Sequence, residues 1–411
     1  MLSGWYYPDG IGGTESYVRS LAKGLESMGH SVTVAAPGGE DEKRYRHDGL
    51  SVYRYPAAPR PDRRQTTGQA PPQYLDDFAR WLGRESPDIV HMHSFTTACG
   101  FFHAQCVKQR GIPLVYTAHV GGLTCLRGTL MRWGKIPCDG QLRPFRCALC
   151  TLWKGNTPRL LEERKKILED FFSLVDRIVV VSKWLYENLK LNGVADSKLT
   201  LCRHGLPGQS FIASPVKTPA DERVARRNGC LRIGYVGRFD RIKGVHVLIA
   251  AVKKLSSGFP LELKIYGRAN SPEETGYLES LMRRAGNDGR ISFLGEVNDD
   301  NRPQVFEGLD VLAVPSLCME TGPLVVLEAQ AAGVPVLGSD LGGIAEWVTG
   351  GKNGLLLPAG DASAWAKAVE RLARDPGELE SLRKGTSLPR NMHEVVLEMA
   401  AVYEEALRRP R

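Results

Sequence analysis

The chain has 411 residues, of which 42% are hydrophobic and 24% charged, and a formal net charge of +8. This composition is typical of a soluble globular protein, and the length predicts two domains that are each large enough for a core. No run approaches the roughly 18 apolar residues of a membrane-spanning helix, and the start lacks a signal-peptide pattern. The sequence therefore predicts a cytoplasmic protein.

Strand and helix patterns alternate along the first half, which predicts a doubly wound α/β domain over residues 1–207. The amphipathic helix Thr14–Met28 is one of its helices. The predicted strands are Ser31–Ala35, Ile89–Met92, Leu114–Thr117 and Arg177–Val181. A full strand should also precede the turn at Tyr7–Gly10, yet only Met1–Trp5 remain. Either this strand is unusually short or the start codon has been placed late.

The segment after the first half is rich in proline, serine, alanine and charge, which predicts an interdomain linker at residues 208–230. A second α/β domain is predicted over residues 231–389, and its last clear helix is Ala362–Arg374. Its predicted strands are Arg232–Val236, Glu262–Tyr266, Ile291–Leu294, Val311–Pro315, Val334–Gly338 and Leu355–Leu357.

Two glutamates follow the buried strand Val311–Pro315 in the stretch DVLAVPSLCMETGPLVVLEAQAAGVPVLGSDLGG. If Pro323 is the first residue of a helix, Glu328 lies about a turn and a half inside it and Glu320 lies in the loop above its N-terminus. Carboxylates placed in this way can accept hydrogen bonds from sugar and ribose hydroxyls, while free N–H groups attract a diphosphate. Alternatively, an acid near a helix start only complements the helix dipole.

Two cations follow the strand Arg232–Val236. Arg238 comes at the carboxyl edge of the predicted sheet, where open α/β folds bind ligands, and Lys243 comes five residues later. Together they could clamp a nucleotide diphosphate and stabilise it as it leaves, although a surface ion pair is the simpler alternative. Gly12 and Gly13 precede the first helix, where missing side chains allow close approach to a phosphate or allow only a tight turn.

Fragments in order along the chain resemble one enzyme family. They are GIGGTESYV, HMHSF, YTAHV, VVVVSKWL and YVGRFDRIKG, followed by Glu320, Gly322-Pro323, Leu327–Ala329, Gly333–Val336, Gly342-Gly343, Glu346 and Asn353-Gly354. In order and spacing they resemble the glycogen-synthase-like glycosyltransferases. These retaining enzymes have two facing Rossmann-like domains with a cleft between them, the GT-B fold.

This resemblance implies a glycosyltransferase that moves a sugar from a nucleotide-sugar donor, a UDP or GDP sugar first of all, to a hydroxyl acceptor on a polysaccharide or glycolipid. It implies that the donor is bound by the second domain and the acceptor by the first, which the C-terminal helix within residues 390–411 would complete. Catalytic roles would fall to Glu320, His119, Arg238 and Lys243. Donor binding would fall to Gly12, Gly13, Gly322, Pro323, Leu324, Glu328 and Val297.

Several residues of the implied site differ from those usual in the family, and the role of His119 rests on the resemblance. His119 would touch the transferred sugar, but a single histidine is more often structural, and Val120 stands where many relatives have an acid. His204 stands where relatives usually have asparagine. No Asp-x-Asp motif occurs at the expected place, so we expect catalysis without a required metal cofactor. Family members retain the anomeric configuration, with the leaving phosphate accepting the proton of the nucleophile.

A basic segment lies between Leu123 and Lys166, where ten basic residues face three acidic ones. Trp133, Phe145 and Trp153 are interleaved with these charges, which favours peripheral contact with an anionic membrane or a phosphorylated lipid acceptor. A solvated basic face explains the charges equally well. Nucleic acid would also suit them, but no nucleic-acid-binding motif supports it, and we expect no such partner.

The same segment carries four cysteines, Cys125, Cys138, Cys147 and Cys150. In a reducing compartment a disulfide framework is unexpected, whereas four thiolates could hold a structural zinc ion. The alternative is that they serve as small hydrophobic residues. Two other functions stay open at the level of the sequence: a sugar-nucleotide epimerase on the same fold, and a non-catalytic transferase-like partner subunit.

Overall fold

The structure is a computed structural model that describes residues 1–10, 12–206 and 229–408. Residues 208–228 of the predicted linker lie outside this description. The chain divides into two compact units. The first comprises Met1–Trp133, Cys138–Pro207 and Asn391–Arg411, and the second comprises Gly134–Pro137 and Gly208–Arg390. Both contain parallel β-sheet and helices, so the predicted α/β class is confirmed.

Nine strands and seven α-helices are described before the linker. The strands are β1 Thr33–Pro37, β2 Lys43–His47, β3 Leu50–Tyr55, β4 Val90–Met92, β5 Leu114–Ala118, β6 Met131–Arg132, β7 Ile136–Pro137, β8 Arg177–Val180 and β9 Leu199–Leu201. The helices are α1 Gly13–Ser27, α2 Arg63–Thr66, α3 Leu75–Glu85, α4 Phe101–Gln109, α5 Pro144–Cys150, α6 Pro158–Leu174 and α7 Lys183–Leu191.

The main sheet of the first unit has the parallel order β4-β5-β8-β9, and β1 pairs in parallel with β3. Leu2 forms single parallel bridges to both Ala35 of β1 and Met92 of β4, so it lies between these two strands. Backbone hydrogen bonds also join Ala35 N to Met1 O at 2.7 Å and Ser3 N to Ala35 O at 2.9 Å. The start of the chain therefore pairs with β1 and β4 over a very short stretch, which agrees with the short-strand alternative.

Strands β2 and β3 pair antiparallel and form a β-hairpin that was not predicted. Its turn is Asp48-Gly49, and both residues have positive φ, 53° and 85°. Left-handed backbone at two consecutive turn positions favours the Asp-Gly dipeptide, since glycine has no Cβ to clash. The signal was therefore present in the Asp-Gly dipeptide of KRYRHDGLSVYRY.

The second unit contains one six-stranded parallel sheet with the order β12-β11-β10-β13-β14-β15. Its strands are β10 Leu231–Val236, β11 Leu261–Tyr266, β12 Ile291–Phe293, β13 Val311–Val314, β14 Val336–Ser339 and β15 Gly354–Leu357. Its helices are α8 Val245–Lys254, α9 Pro272–Ala285, α10 Arg302–Glu307, α11 Leu324–Ala331, α12 Gly342–Trp347, α13 Ala362–Arg374 and α14 Pro376–Lys384. Each strand predicted for this half is found, with ends shifted by one or two residues.

The C-terminal helix α15, Met392–Leu407, belongs to the first unit. It buries Val395, Val396 and Met399 in the same core as Val18 and Leu21 of α1. The approach of the two helices is close, because a Cβ on Gly24 would meet Val396 Cγ2 at 2.3 Å. Within the described ranges, no helix combines the length and the apolarity needed to span a bilayer.

Candidate active site

The sheet of the second unit has a switch point between β10 and β13. The chain winds outward from β10 through β11 to β12, then returns to β13 on the other side of β10. Open α/β sheets bind ligands beyond the carboxyl ends of the strands at this point. Arg238 follows β10 there and Glu320 follows β13. The topology therefore brings both predicted site residues to one edge of the sheet.

Lys243 and Glu320 form an ion pair with 2.7 Å between Nζ and Oε1. Ser316 Oγ donates a second hydrogen bond to the same oxygen at 2.7 Å. Burial opposes both charges, but the pairing outweighs it: the pKa of Lys243 is raised and the pKa of Glu320 is lowered, the latter also by hydrogen bonds from Ser316 and Cys318. Both groups are therefore charged at neutral pH.

Gly244 fixes the position of Lys243 at the start of α8. Its φ is +74°, and a Cβ at this position would lie 1.9 Å from the carbonyl oxygen of Pro315. Only glycine tolerates both the left-handed backbone and this close approach. The loop after β10 can therefore lie directly on the loop after β13, and the pairing of Lys243 with Glu320 follows from that contact.

Glu328 lies on α11 and pairs with Arg302, the first residue of α10. The Glu328 side chain is only 6% exposed. Burial raises its pKa, and the Arg302 guanidinium offsets this only in part. The sequence offered no signal for Arg302 because the residue lies 26 positions before its partner. Arg302 is nevertheless the cation that compensates the predicted ribose-binding carboxylate.

Arg238 is more exposed than the other charged residues of this edge. Its side chain is 49% exposed and pairs with Glu274 on α9 at 3.3 Å. The Tyr235 hydroxyl donates to the carbonyl oxygen of Arg238 at 2.7 Å. Burial raises the pKa of Tyr235, and the charge of nearby Glu320 raises it further. Tyr235 therefore stays neutral and holds the backbone of Arg238 in place.

The loop between Glu320 and α11 is held by the start of α12. Gly343 N donates to Glu320 O at 2.6 Å, and a Cβ on Gly343 would meet the Thr321 carbonyl carbon at 2.6 Å. Pro323 is the N-cap of α11, with ψ 117°, and Leu324 is its first residue. The expectation that Pro323 begins the helix is wrong by one residue, because its extended ψ places it outside the helix.

The other predicted donor residues of this unit, Gly322, Leu324 and Val297, carry no polar side chain. Gly322 and Leu324 are half-buried on either side of Pro323. Val297 is half-buried in the loop between β12 and α10. Their donor-binding roles stay predictions.

In the first unit His119 follows β5 and lies in a cluster of histidines. Its Nε2 is 3.1 Å from Nδ1 of His93, which follows β4. The ring of His204 stacks on it at 5.7 Å with 3° between the planes, and the Tyr17 ring lies 5.0 Å away. Of these three histidines, only His119 was predicted as a site residue. All three follow a parallel strand, and this common position is the signal that could have identified the others.

These histidines are neutral because they are buried. Burial lowers the pKa of both His93 and His119 well below the ordinary value, and neighbouring histidines lower it further. Burial also lowers the pKa of His204 to about 4. In the described part of the chain, His93 Nε2 and His204 Nδ1 are buried without a hydrogen-bond partner. The cluster therefore offers neutral imidazole nitrogens that can bind a ligand hydroxyl.

Gly12 and Gly13 lie at the start of α1 in the same unit. Gly12 is the N-cap, and Gly13 is the first helical residue and is exposed. A Cβ on Gly12 would come within 2.8 Å of Glu15 Oε2. The Glu15 carboxylate therefore lies beside Gly12, and the donor-binding roles of Gly12 and Gly13 stay predictions.

The four clustered cysteines are all partly exposed and none forms a disulfide. Cys125 follows a short 3-10 turn, Cys138 follows β7, and Cys147 and Cys150 lie on α5. Over the residues that the structure describes, no three histidine, cysteine, aspartate or glutamate side chains stand in a metal-ligand arrangement. The zinc ion stays a prediction.

Both halves of the chain match models of known protein families. A model described as Glycosyltransferase Family 4 matches residues 11–207, and one described as Glycosyl transferases group 1 matches residues 230–375. The chain is a glycosyltransferase of the GT-B family. The resemblance drawn from the motifs is confirmed, and with it the assignment as a transferase enzyme.

Similar proteins extend over nearly the whole glycosyltransferase chain. One is a D-inositol 3-phosphate glycosyltransferase from Arthrobacter, 26% identical over 92% of this chain and 85% of the relative. Another is a phosphatidyl-myo-inositol mannosyltransferase from Mycolicibacterium smegmatis, 27% identical over 92% of this chain and 85% of the relative.

Solved structures share the fold. Sucrose-phosphate synthase from Thermosynechococcus elongatus has a TM-score of 0.70 with 22% identity, covering 98% of both chains. HepE from Anabaena in complex with UDP-glucose has a TM-score of 0.68 with 17% identity, covering 98% of this chain and 99% of that one.

Proposed function

We propose that this glycosyltransferase transfers a hexose from a UDP- or GDP-sugar to a hydroxyl of a phosphorylated or lipid-linked acceptor, with retention of the anomeric configuration. The observation that carries the proposal is the buried Lys243–Glu320 pair at the switch point of the second unit. Keeping two opposite charges in a buried site costs desolvation energy. A ligand that carries anionic phosphates and hydroxyls interacts with both residues, because the phosphates bind Lys243 and the hydroxyls donate to Glu320.

The diphosphate of the donor binds the cations in this proposal. Lys243 and the half-exposed Arg238 stabilise the negative charge that grows on the leaving phosphate, and the free N–H groups at the start of α11 add to them. Glu328 accepts hydrogen bonds from the ribose hydroxyls, while Arg302 compensates its charge. The related HepE structure was determined with UDP-glucose, which supports a nucleotide-sugar donor.

Glu320 binds hydroxyls of the transferred sugar rather than attacking the anomeric carbon. Its Oε1 already accepts hydrogen bonds from Lys243 and Ser316, which lowers its nucleophilicity. The acceptor hydroxyl then attacks on the face from which the diphosphate departs, its proton passes to the leaving phosphate oxygen, and the configuration is retained. Neutral His119 contributes a hydrogen bond to the sugar. In this mechanism no divalent metal cofactor is needed.

The acceptor side favours a phosphorylated or lipid-linked acceptor. Two relatives are named for an inositol phosphate and a phosphatidylinositol acceptor. The basic segment exposes Phe145 at 77%, Leu152 at 68% and Trp153 at 69%. Arg127 and Lys154 both lie within 6 Å of the Trp153 ring centroid. Exposed apolar side chains beside cations suit an anionic lipid surface.

Thermal unfolding with UDP-, GDP-, ADP- and dTDP-sugars tests the donor. A ligand at a hundred times its dissociation constant stabilises the protein by about 2.7 kcal/mol. One nucleotide sugar should raise the melting temperature and be consumed in the presence of inositol phosphate or a lipid acceptor. Proton NMR of the product should show the donor's anomeric configuration, and EDTA should leave the rate unchanged. Inverted product or no stabilisation by any sugar nucleotide would contradict the proposal.

Sedimentation with lipid vesicles tests the membrane contact separately. Binding should require anionic lipid and weaken with salt, since each basic residue near such a surface is worth about 1 kcal/mol. Trp153→Ser should reduce the bound fraction. Leu388→Ser is the matched control, because Leu388 is also 69% exposed but lies in the second unit. Equal binding of both variants, or binding without salt dependence, would mean that this segment is an ordinary solvated surface and does not bind lipid.

A further inference from the structure

Four of the five partly exposed cysteines lie in one short segment. Cys99, Cys106, Cys202 and Cys318 are buried as small apolar residues normally are. Cys125, Cys138, Cys147 and Cys150 are instead partly exposed within a segment of 26 residues, and none is oxidised to a disulfide. Packing of small hydrophobic side chains accounts for the buried group and in part for Cys147, which packs against the core of the first unit, but not for Cys125, Cys138 and Cys150.

The fold brings these four cysteines into one neighbourhood. Cys147 and Cys150 are three residues apart on α5, so their side chains lie on one face of the helix. Trp133 N donates to Cys150 Sγ at 3.3 Å, which attaches the segment between Cys125 and Cys138 to this helix. Arg127, two residues after Cys125, donates from Nη1 to the carbonyl oxygen of Cys150 at 3.0 Å, which attaches the chain beside Cys125 to the same helix.

Two cations and one carboxylate lie beside these cysteines. Arg146 Nη2 lies 4.0 Å from Cys138 Sγ, and Asp139, which pairs with Arg146 at 3.8 Å, accepts a hydrogen bond from the same thiol at 3.6 Å. Arg164 Nη2 donates to the carbonyl oxygen of Leu123 at 3.0 Å, two residues before Cys125. The Nε atom of Arg164 is buried without a partner among the described residues. A centre with net negative charge would compensate this buried cation, and four neutral thiols would not.

The backbone of the segment needs a strong constraint. Leu130 and Trp133 have positive φ, 53° and 52°, although neither is glycine. Such residues cost about 1–3 kcal/mol each and persist only where surrounding contacts hold them. Leu123, Leu142 and Ala148 belong to the main core of the first unit, so the segment is better packed than the sequence indicated. Leu130 is buried as well, whereas Trp133 is 57% exposed, so apolar packing holds the first of the two strained residues but not the second.

We propose that Cys125, Cys138, Cys147 and Cys150 bind one zinc ion as four thiolates and that this ion holds residues 121–154 in their fold. Binding releases four protons and draws the sulfur atoms to about 2.3 Å from the metal. The resulting centre carries two negative charges, which Arg146 and Arg164 compensate. The site is structural, since four protein ligands leave no open position for a substrate. It thereby orders the surface that carries Trp133, Phe145 and Trp153.

Elemental analysis of protein purified without a polyhistidine tag tests the proposal. We expect about one zinc per chain, as in four-cysteine structural sites. Cys147→Ser should lose most of it, whereas Cys230→Ser, a partly exposed cysteine outside the segment, should keep it. A mercurial reagent should release the zinc as the four thiols react. Nucleotide-sugar binding by the second unit should persist in Cys147→Ser, and trypsin should cleave the variant faster within residues 127–154.

A second variant covers the case in which Cys147→Ser does not fold. Cys150→His keeps a zinc-binding side chain and should retain metal and resistance to trypsin, whereas Cys150→Ala should lose both. Freshly purified, fully active protein that contains no metal and takes up no zinc would overturn the proposal. So would a disulfide between any two of the four cysteines in that protein, found by mass spectrometry.

Discussion

In the second unit Lys243 and Glu320 remain charged although they are buried, whereas in the first unit His93, His119 and His204 are neutral. Both clusters follow parallel strands, so the difference comes from the partners and not from the fold. Lys243, Glu320 and Glu328 each have an opposite charge within hydrogen-bonding distance. The histidines lie against one another, His91 and the Tyr17 ring, and burial in these surroundings keeps them neutral.

This difference matches two chemical demands of sugar transfer. A diphosphate needs fixed positive charge that is already in place when the bond breaks. Sugar hydroxyls need uncharged donors and acceptors at fixed positions, which neutral imidazoles provide. We therefore expect substitutions in the second unit to change turnover and donor binding, and substitutions among the histidines to change how stability depends on pH.

The largest effect is expected for Lys243→Met. Removal of one stabilising group at a developing negative charge lowers turnover by about 100- to 1,000-fold. Steady-state kinetics and calorimetric titration should show a larger loss in turnover number than in donor affinity, and Arg238→Ala should show the same pattern more weakly. Lys253→Met is the control, since Lys253 contacts only backbone carbonyl groups of α9 in the contacts described.

Loss of Lys243 also leaves Glu320 unpaired, which lowers stability. The double variant Lys243→Met/Glu320→Gln should recover the melting temperature without recovering turnover. If turnover stays intact in Lys243→Met while donor affinity falls, the lysine only holds the donor, and the proposed stabilisation of the leaving group is wrong.

His204→Asn should reduce the loss of stability in acid. Because the pKa of folded His204 is about 4, against an ordinary value of 6.5, the unfolded chain binds the proton first as the pH falls. Stability is therefore lost between about pH 6.5 and pH 4, and this one residue accounts for about 3 kcal/mol of the loss.

Chemical denaturation at pH 7 and pH 4.5 measures this difference. In His204→Asn the loss between the two pH values should be smaller, while the exposed His393→Asn on the same unit should behave like the parent protein. An unchanged loss in His204→Asn would mean that His204 takes up a proton in the folded state, and that the cluster is not neutral in acid.

Glu328→Ala should weaken binding of the nucleoside diphosphate by about 1.5–3 kcal/mol, because the ribose hydroxyls lose a charged acceptor. Calorimetric titration measures this loss. The affinity of Glu328→Gln should lie between that of the parent protein and that of Glu328→Ala. Glu307→Ala is the control, since Glu307 is exposed at the end of α10. Unchanged affinity in a folded Glu328→Ala protein would remove this residue from the donor site.

The sequence predicted which side chains follow the parallel strands better than it predicted which residues form ion pairs with them. Buried parallel strands are short apolar runs with a period that can be read locally, and the side chains after them follow from the topology. Arg302 could not be found in this way, because it meets Glu328 only through the packing of α10 near α11. The hairpin of β2 and β3 was missed although Asp48-Gly49 signalled it, since its charged strands do not resemble a core strand.

The smallest effect is expected for Glu274→Gln, which tests whether exposure or pairing governs Arg238. The pair is half-exposed at Arg238, and such pairs contribute about 0–1 kcal/mol to stability. Glutamine keeps an oxygen that can accept the hydrogen bond from Asn270 N, which Glu274 Oε2 now accepts at 2.6 Å. The melting temperature should therefore hardly change. With its partner neutral, Arg238 is free to turn to the diphosphate.

The KM for the donor should fall in Glu274→Gln by no more than about threefold, the equivalent of less than 1 kcal/mol, with turnover unchanged. Steady-state kinetics on this variant beside Lys243→Met compares the exposed cation with the buried one on the same reaction. If Glu274→Gln instead lowers turnover tenfold, the carboxylate must hold the guanidinium in its working position. Arg238 would then depend on its partner as strictly as Lys243 depends on Glu320, and exposure would not distinguish the two cations.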